Sequence, residues 1–100
     1  MTKQTFSQKC YSLLKKVPEG KVTTYKSIAK KLNTEAYRAV GNAMNKNPNP
    51  IRVPCHRVIK SNGKLGGYAR GIKQKIKLLK QEGIKIKNNK IDLNRYLHKL

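Results

Sequence analysis

Apolar positions along the chain fall into short helical stripes separated by turn formers. Phe6, Cys10, Leu13, Leu14 and Val17 recur at i, i+4, i+7, i+8 and i+11, which predicts a helix from about Thr5 to Val17, ended by Pro18, Glu19 and Gly20. Cys10 therefore belongs to the core. The segment KVTTY leads into a second helix, with Thr23 or Thr24 as N-cap and Ile28, Ala29 and Leu32 facing inward. After a short Asn33-Thr34 turn, Thr34 can cap a third helix with Glu35 in its positive first turn. On that helix Tyr37, Val40, Gly41 and Met44 make an apolar stripe, with Ala36, Ala39 and Ala43 beside it. Arg38, Asn42 and Asn45 repeat at i, i+4 and i+7.

The two helices over about 24–46 read as a helix-turn-helix or as an ordinary helical hairpin, and the pattern alone does not choose. NKNPNP must end the third helix, because Pro48 and Pro50 disfavour helical geometry at Asn47 and Asn49. The loop so begun covers 47–58. RVIKSNGKLGGY follows as a hairpin with Asn62-Gly63 as its turn, and behind a helix-turn-helix the segment 58–68 would be a wing. A fourth helix is expected over about 72–83, with Ile72, Ile76 and Leu79 inward and Gly83 as its stop. The tail, 84–100, predicts a second small hairpin around Asn88-Asn89 and then a short helix. The expected fold is mostly α with small β hairpins: a winged helix-turn-helix of the α+β class, in a single domain.

Charge changes this picture most. The 100 residues carry 24 Lys+Arg against 4 Asp+Glu, a formal net charge of +20 spread over the whole chain. Such a field suits a polyanionic partner, although an evenly charged surface also serves solubility alone. No apolar run has the length of a membrane span or the form of a secretory leader, so an intracellular, cytoplasmic protein is expected, without membrane association. Cys10 and Cys55 lack metal-ligand spacing, and with only His56 and His98 to join them neither a metal site nor a cofactor is expected.

The stretch VPCHRV sets Cys55 between a proline and a His-Arg pair, where no helical or strand periodicity marks it as core. The thiolate is the reactive form of cysteine, and an adjacent base in a positive field favours it. Cys55 is thus a candidate nucleophile, or a structural cysteine. His56 is a candidate base, acting directly or through a water. Glu82, one of four acids, stands at a helix C-terminus, where cations are preferred, so it needs a partner. That partner is a surface lysine, or His56, whose tautomer a carboxylate would hold.

With these residues in view, the chain resembles the DNA-binding and active-site domain of O6-alkylguanine-DNA alkyltransferases. The likeness runs from about Phe6 to Ile84 through GKVTTYKSIAKKL, RAVGNAMNKNPNPIRVPCHRVI and GGYARGIKQKIKLLKQEG. The resemblance implies that Cys55 accepts the alkyl group from O6 of guanine irreversibly, that His56 draws the thiol proton through water, and that Glu82 orients the imidazole. It further implies that Asn47 ties the PxP turn to the active-site strand and that Tyr25 donates toward N3 of the departing guanine. The partner implied is double-stranded DNA containing O6-alkylguanine, bound through the minor groove by a monomer, with side-by-side binding on DNA allowed. Arg38 would enter the stack vacated by the flipped base. Ala36, Ala39 and Gly41, together with Asn42 and Met44, would line the groove, and Tyr68 with the backbone from Gly66 to Ala69 would cover the guanine.

Against the family pattern, Arg70 replaces a glycine at the pocket rim, which predicts slower reaction with bulky adducts. Most members carry a further N-terminal domain, which is expected to be absent here. The tail carries no assignment beyond packing or charge. Three other readings stand beside this one. They are a lesion-binding relative without transfer, in which tryptophan replaces the acceptor cysteine; a non-enzymatic basic helix-turn-helix DNA-binding regulator; and a cysteine hydrolase.

Overall fold

The computed structural model describes residues 5–47, 53–68 and 71–100. The elements are α1 (Phe6–Leu14), β1 (Thr23–Thr24), α2 (Tyr25–Lys31), α3 (Tyr37–Asn45), a single 3-10 turn (Cys55–Arg57), β2 (Val58–Ile59), α4 (Ile72–Gln81) and α5 (Leu93–Tyr96). This is a mostly helical fold around a small sheet. Local signals set most helix starts. Thr5 caps α1 in a full capping box with Gln8. Thr24 caps α2 by accepting from Ser27 N at 3.0 Å, and Asp92 caps α5.

The start of α3 differs from the expectation. Thr34 Oγ1 accepts from Ala36 N at 3.1 Å, closing a local turn, and the helix begins two residues after Glu35, with no side-chain cap. Asn33, in the left-handed region at φ 57, makes the bend between α2 and α3.

Two apolar clusters hold the elements. In the first, Cys10, Leu13, Leu14 and Val17 of the α1 region meet Ile28, Ala29, Val40, Ala43 and Met44, with Val53, Cys55 and Val58 beneath them. Tyr11 locks α1 onto α3 by donating to Ala43 O at 2.6 Å. In the second, Val22, Ile59, Leu65 and Leu79 pack with Ile84, Ile91 and Tyr96, so the tail is part of the core.

The sheet differs in kind from the expected hairpin. β1 and β2 pair in parallel, Thr23 with Val58 and Thr24 with Ile59. The expected turn does form at 60–64, where Gly63 N donates to Lys60 O and Lys60 N to Lys64 O, both at 2.9 Å, and its return also meets the tail: Ile91 N donates to Gly63 O at 2.9 Å and Lys64 bridges Lys90. A side chain at Gly63 is excluded there, since a Cβ would lie 2.8 Å from Ile91 O. The tail turns at Asn88 and Asn89, both left-handed, between mutually bonded Lys87 and Lys90. It then runs back along Val22, whose N–H donates to Tyr96 O and whose carbonyl accepts from His98 N.

On α4 the expected inward face is also revised. Ile72 is 43% exposed, whereas Lys75 is fully buried beside Leu79. No helix among the described residues is long and apolar enough to cross a membrane.

Candidate active site

The Cys55–Arg57 turn starts where Cys55 N donates to Val53 O at 2.7 Å and closes where Arg57 N donates to Pro54 O at 3.0 Å. Prolines and this tight turn explain why no periodicity marked Cys55, yet its side chain is only 4% exposed and packs in the first core cluster. Asn47, just past the end of α3, donates from Nδ2 to Val53 O at 2.8 Å, fixing the residue two positions before the thiol. Pro48 and Pro50 lie outside the described residues.

Glu82 reaches the turn because α4 ends in a Schellman motif. Gly83, at φ 85, donates to Lys80 O, and Ile84 N donates to Leu79 O while its side chain joins the same cluster as Leu79. The motif leaves the Glu82 carboxylate against the 3-10 turn. Its Oε2 meets His56 Nε2 at 2.9 Å and accepts from Arg57 Nη2 at 2.6 Å, while Oε1 accepts from Arg57 Nε at 2.9 Å. Arg57 Nη1 continues to Val17 O at 2.8 Å, so the pair also ties the end of the α1 region to the site. Arg57 carried no role in the sequence reading; the scarcity of acids beside an obligate cation was the available signal.

Burial alone would push the Glu82 carboxyl up. The bonds from Arg57 and His56 outweigh it and hold the group below the ordinary carboxylate range. Burial pushes the His56 imidazole below its ordinary value, against the pull of Glu82, so the ring is neutral near pH 7. With Nε2 engaged by a carboxylate, the proton sits on Nε2 and the lone pair on Nδ1. Nδ1 is buried and has no protein partner among the described residues.

Tyr25 is half-buried beside this turn, and burial, then the nearby Cys55, pushes its phenol up, so it is a proton donor at neutral pH. Gly66 lies against the Tyr25 ring, and Tyr68 packs on the cluster holding Cys55. Ala69, the remainder of the expected cover, and Arg70, expected at the pocket rim, lie outside the described residues.

On α3 the inward face is Val40, Ala43 and Met44. Met44, expected on the DNA-facing side, is 5% exposed and packs in the core, because it follows Val40 by one helical turn. Arg38 and Asn42 are exposed, as is Ala36 before the helix; Ala39 and Gly41 are half-buried. A Cβ at Gly41 would meet nothing within 4 Å, so no internal contact demands glycine there. Tyr37 leaves the expected stripe and is 45% exposed. No group of His, Cys, Asp and Glu among the described residues could hold a metal ion.

Residues 5–84 match the family described as "6-O-methylguanine DNA methyltransferase, DNA binding domain". The chain belongs to the 6-O-methylguanine DNA methyltransferase family. Among its relatives, a methylated-DNA--protein-cysteine methyltransferase of Saccharolobus islandicus is 58% identical over 71 residues, covering 71% of this chain and 46% of its own length. A bifunctional methyltransferase/endonuclease of Picrophilus torridus is 48% identical over 87 residues, covering 86% of this chain and 29% of its own. The chain thus spans half or less of the length of these relatives.

Two solved structures bear on the fold. The O6-methylguanine-DNA methyltransferase of Pyrococcus kodakaraensis superposes with a TM-score of 0.74 at 50% identity, over 81% of this chain and 47% of that one. S. pombe Atl1, solved in complex with damaged DNA containing O6-carboxymethylguanine, gives a TM-score of 0.84 at 32% identity, over 100% of both chains. This family member therefore shares its whole length, tail included, with Atl1.

Proposed function

We propose that this protein repairs DNA by moving the alkyl group, above all methyl, from O6 of guanine to Cys55 in a single irreversible step. The observation that carries the reading is the His56–Glu82 pair locked against the turn that bears the one cysteine in a PCHRV setting. Glu82 holds the proton on Nε2, so Nδ1 accepts the thiol proton, relayed by a water. The thiolate sulfur attacks the alkyl carbon; the S–C bond forms as the C–O6 bond breaks, and guanine leaves with the electron pair. Tyr25 donates toward N3 to stabilise that leaving group. The thioether product is stable, so each chain acts once.

The same reading puts the outer face of α3 in the DNA minor groove. Arg38 fills the gap left by a flipped guanine, Ala36, Ala39 and Gly41 allow close approach, Asn42 contacts the strand, and Tyr68 covers the base. One monomer serves one lesion, in the cytoplasm with the DNA. The charge of +20 supports sequence-independent phosphate binding.

A duplex containing O6-methylguanine, incubated with the chain, tests this. The peptide holding Cys55 should gain one methyl, and Cys55→Ala should bind the duplex without any gain. The full-length similarity to Atl1 on damaged DNA supports a second reading, lesion binding without transfer. Tight binding by the folded wild-type chain with unchanged mass would select it.

A further inference from the structure

The most unusual group in the molecule is Lys75. Its side chain is fully buried on α4, although lysine is almost never so unless paired. No carboxylate faces it among the described residues; its partners are three backbone carbonyls. Nζ donates to Val58 O at 2.6 Å, Leu65 O at 2.6 Å and Gly67 O at 3.1 Å. All three ammonium protons are therefore spent, each on a different residue.

Those carbonyls belong to two segments that also meet where Lys60 N donates to Lys64 O at 2.9 Å and where Ile59 packs with Leu65; beyond Leu65, the Lys75 bond to Gly67 O holds the chain toward α4. Val58 begins β2, three residues after Cys55, and Leu65 and Gly67 flank Gly66, which lies against Tyr25, and lead into Tyr68. The Lys75 ammonium thus joins the strand leaving the thiol to the segment that lies against Tyr25 and leads into Tyr68, on the cluster that holds Cys55. We infer that Lys75 is a positioning residue for alkyl transfer: it clamps the 65–68 segment onto β2, setting the separation of the guanine cover from Cys55. This rests on the transferase reading above. The titratable groups that face it are Cys55 and His56 on the 3-10 turn. Burial pushes the Lys75 ammonium down to about 8, yet the three acceptors need the charged form, because a neutral amine has one donor fewer.

A clamp predicts a split that thiol activation or mere loss of stability does not. In a Cys10→Ala background, Lys75→Met should slow transfer from an O6-methylguanine duplex about 10- to 100-fold, the scale on which small misplacement acts. Affinity for an unmodified duplex and the rate at which Cys55 reacts with iodoacetamide should each stay within about twofold, since neither draws a guanine under the cover. Unchanged transfer would overturn the inference, and so would a parallel fall in transfer and iodoacetamide rates.

If Lys75→Met does not fold, the wild-type chain decides. Its Lys75 ammonium should give a slowly exchanging nitrogen-15 signal at neutral pH, coupled across hydrogen bonds to the Val58 and Leu65 carbonyls; exchange as fast as that of the surface lysines would contradict the clamp. A wild-type chain that gains no methyl would refute the transferase reading and with it the transfer role, even with a protected ammonium.

Discussion

Replacing Glu82 by glutamine preserves shape and removes one charge, so its consequences can be worked out bond by bond. The carboxylate accepts three hydrogen bonds, two from Arg57 and one from His56. A glutamine offers one oxygen and one NH2 group. If the oxygen takes the place shared by Arg57 Nη2 and His56, the NH2 faces Arg57 Nε, donor against donor. If it takes the other place, the NH2 faces Arg57 Nη2 and forces His56 to accept at Nε2, which moves the imidazole proton to Nδ1 and abolishes the base.

Breaking a buried pair by removing one charge costs roughly 3–5 kcal/mol. The Arg57 and Glu82 side chains keep 15% and 10% exposure and the amide saves one or two bonds. We therefore expect a loss of about 2–3 kcal/mol, which for a domain of this size lowers Tm by roughly 10–20 °C. Transfer should fall by at least about tenfold, towards the 10²–10⁴ that general-base help supplies. Thermal unfolding gives the first number, and methyl uptake by mass, timed well below the variant's Tm, gives the second. Transfer by folded E82Q within about twofold of wild type would mean that the glutamine oxygen has kept the His56 place. A folded Glu82→Ala protein, which can accept from His56 in neither way, would refute the orienting role by transferring within about twofold of wild type.

Other consequences test separate parts of the account. Arg38→Ala should slow transfer from duplex DNA by about a few kcal/mol of lost flipping support while leaving reaction with free O6-methylguanine base unchanged; equal losses on both would remove Arg38 from the flipping step. Met44→Ala should cost about 2–5 kcal/mol of stability in urea titrations and leave duplex affinity intact, whereas a loss of affinity without a loss of stability would put Met44 back on the DNA face. Folding holds the imidazole of His56 below its ordinary pKa of 6.5, so the unfolded chain takes up a proton that the fold refuses, and stability should decline as pH falls below 6.5. Glu82, held below its ordinary 4.5, adds a second decline below that value. Wild-type urea midpoints should show both steps and His56→Gln only the lower; a wild-type midpoint flat between pH 7 and 5 would contradict the buried neutral ring.

Much of this structure was legible in the sequence where the cause is local. Thr5 and Thr24 cap the helices that follow them, and Asn88-Asn89 turns the tail, because a side-chain oxygen and a left-handed backbone are properties of a few adjacent residues. Long-range pairings were not. The parallel contact of β1 with β2 joins two-residue strands thirty-odd positions apart, too short to show any alternation. The Asn62-Gly63 turn was legible, and it closes with Lys60 N donating to Lys64 O, but nothing local reveals that the tail pairs with its returning arm.

In the site, Cys55, His56 and Glu82 stood out by being chemically out of place, and the geometry brings the last two together. Arg57 and Lys75 did not, since a cation is unremarkable among 24 Lys and Arg; only burial separates Lys75 from its neighbours on α4. Met44 was misplaced for another reason. The periodicity set it on the apolar stripe with Val40 and only the resemblance placed it in the groove; the packing of Val40, Ala43 and Met44 decides for the stripe.

The most direct test weighs the intact chain after incubation with a duplex bearing a single O6-methylguanine, alongside Cys55→Ala. The account predicts that wild-type protein gains one methyl in place of one hydrogen, in equal molar amount with repaired guanine and confined to Cys55, while the variant binds the duplex at unaltered mass. Folded wild-type protein that binds the lesion and keeps its original mass would contradict it.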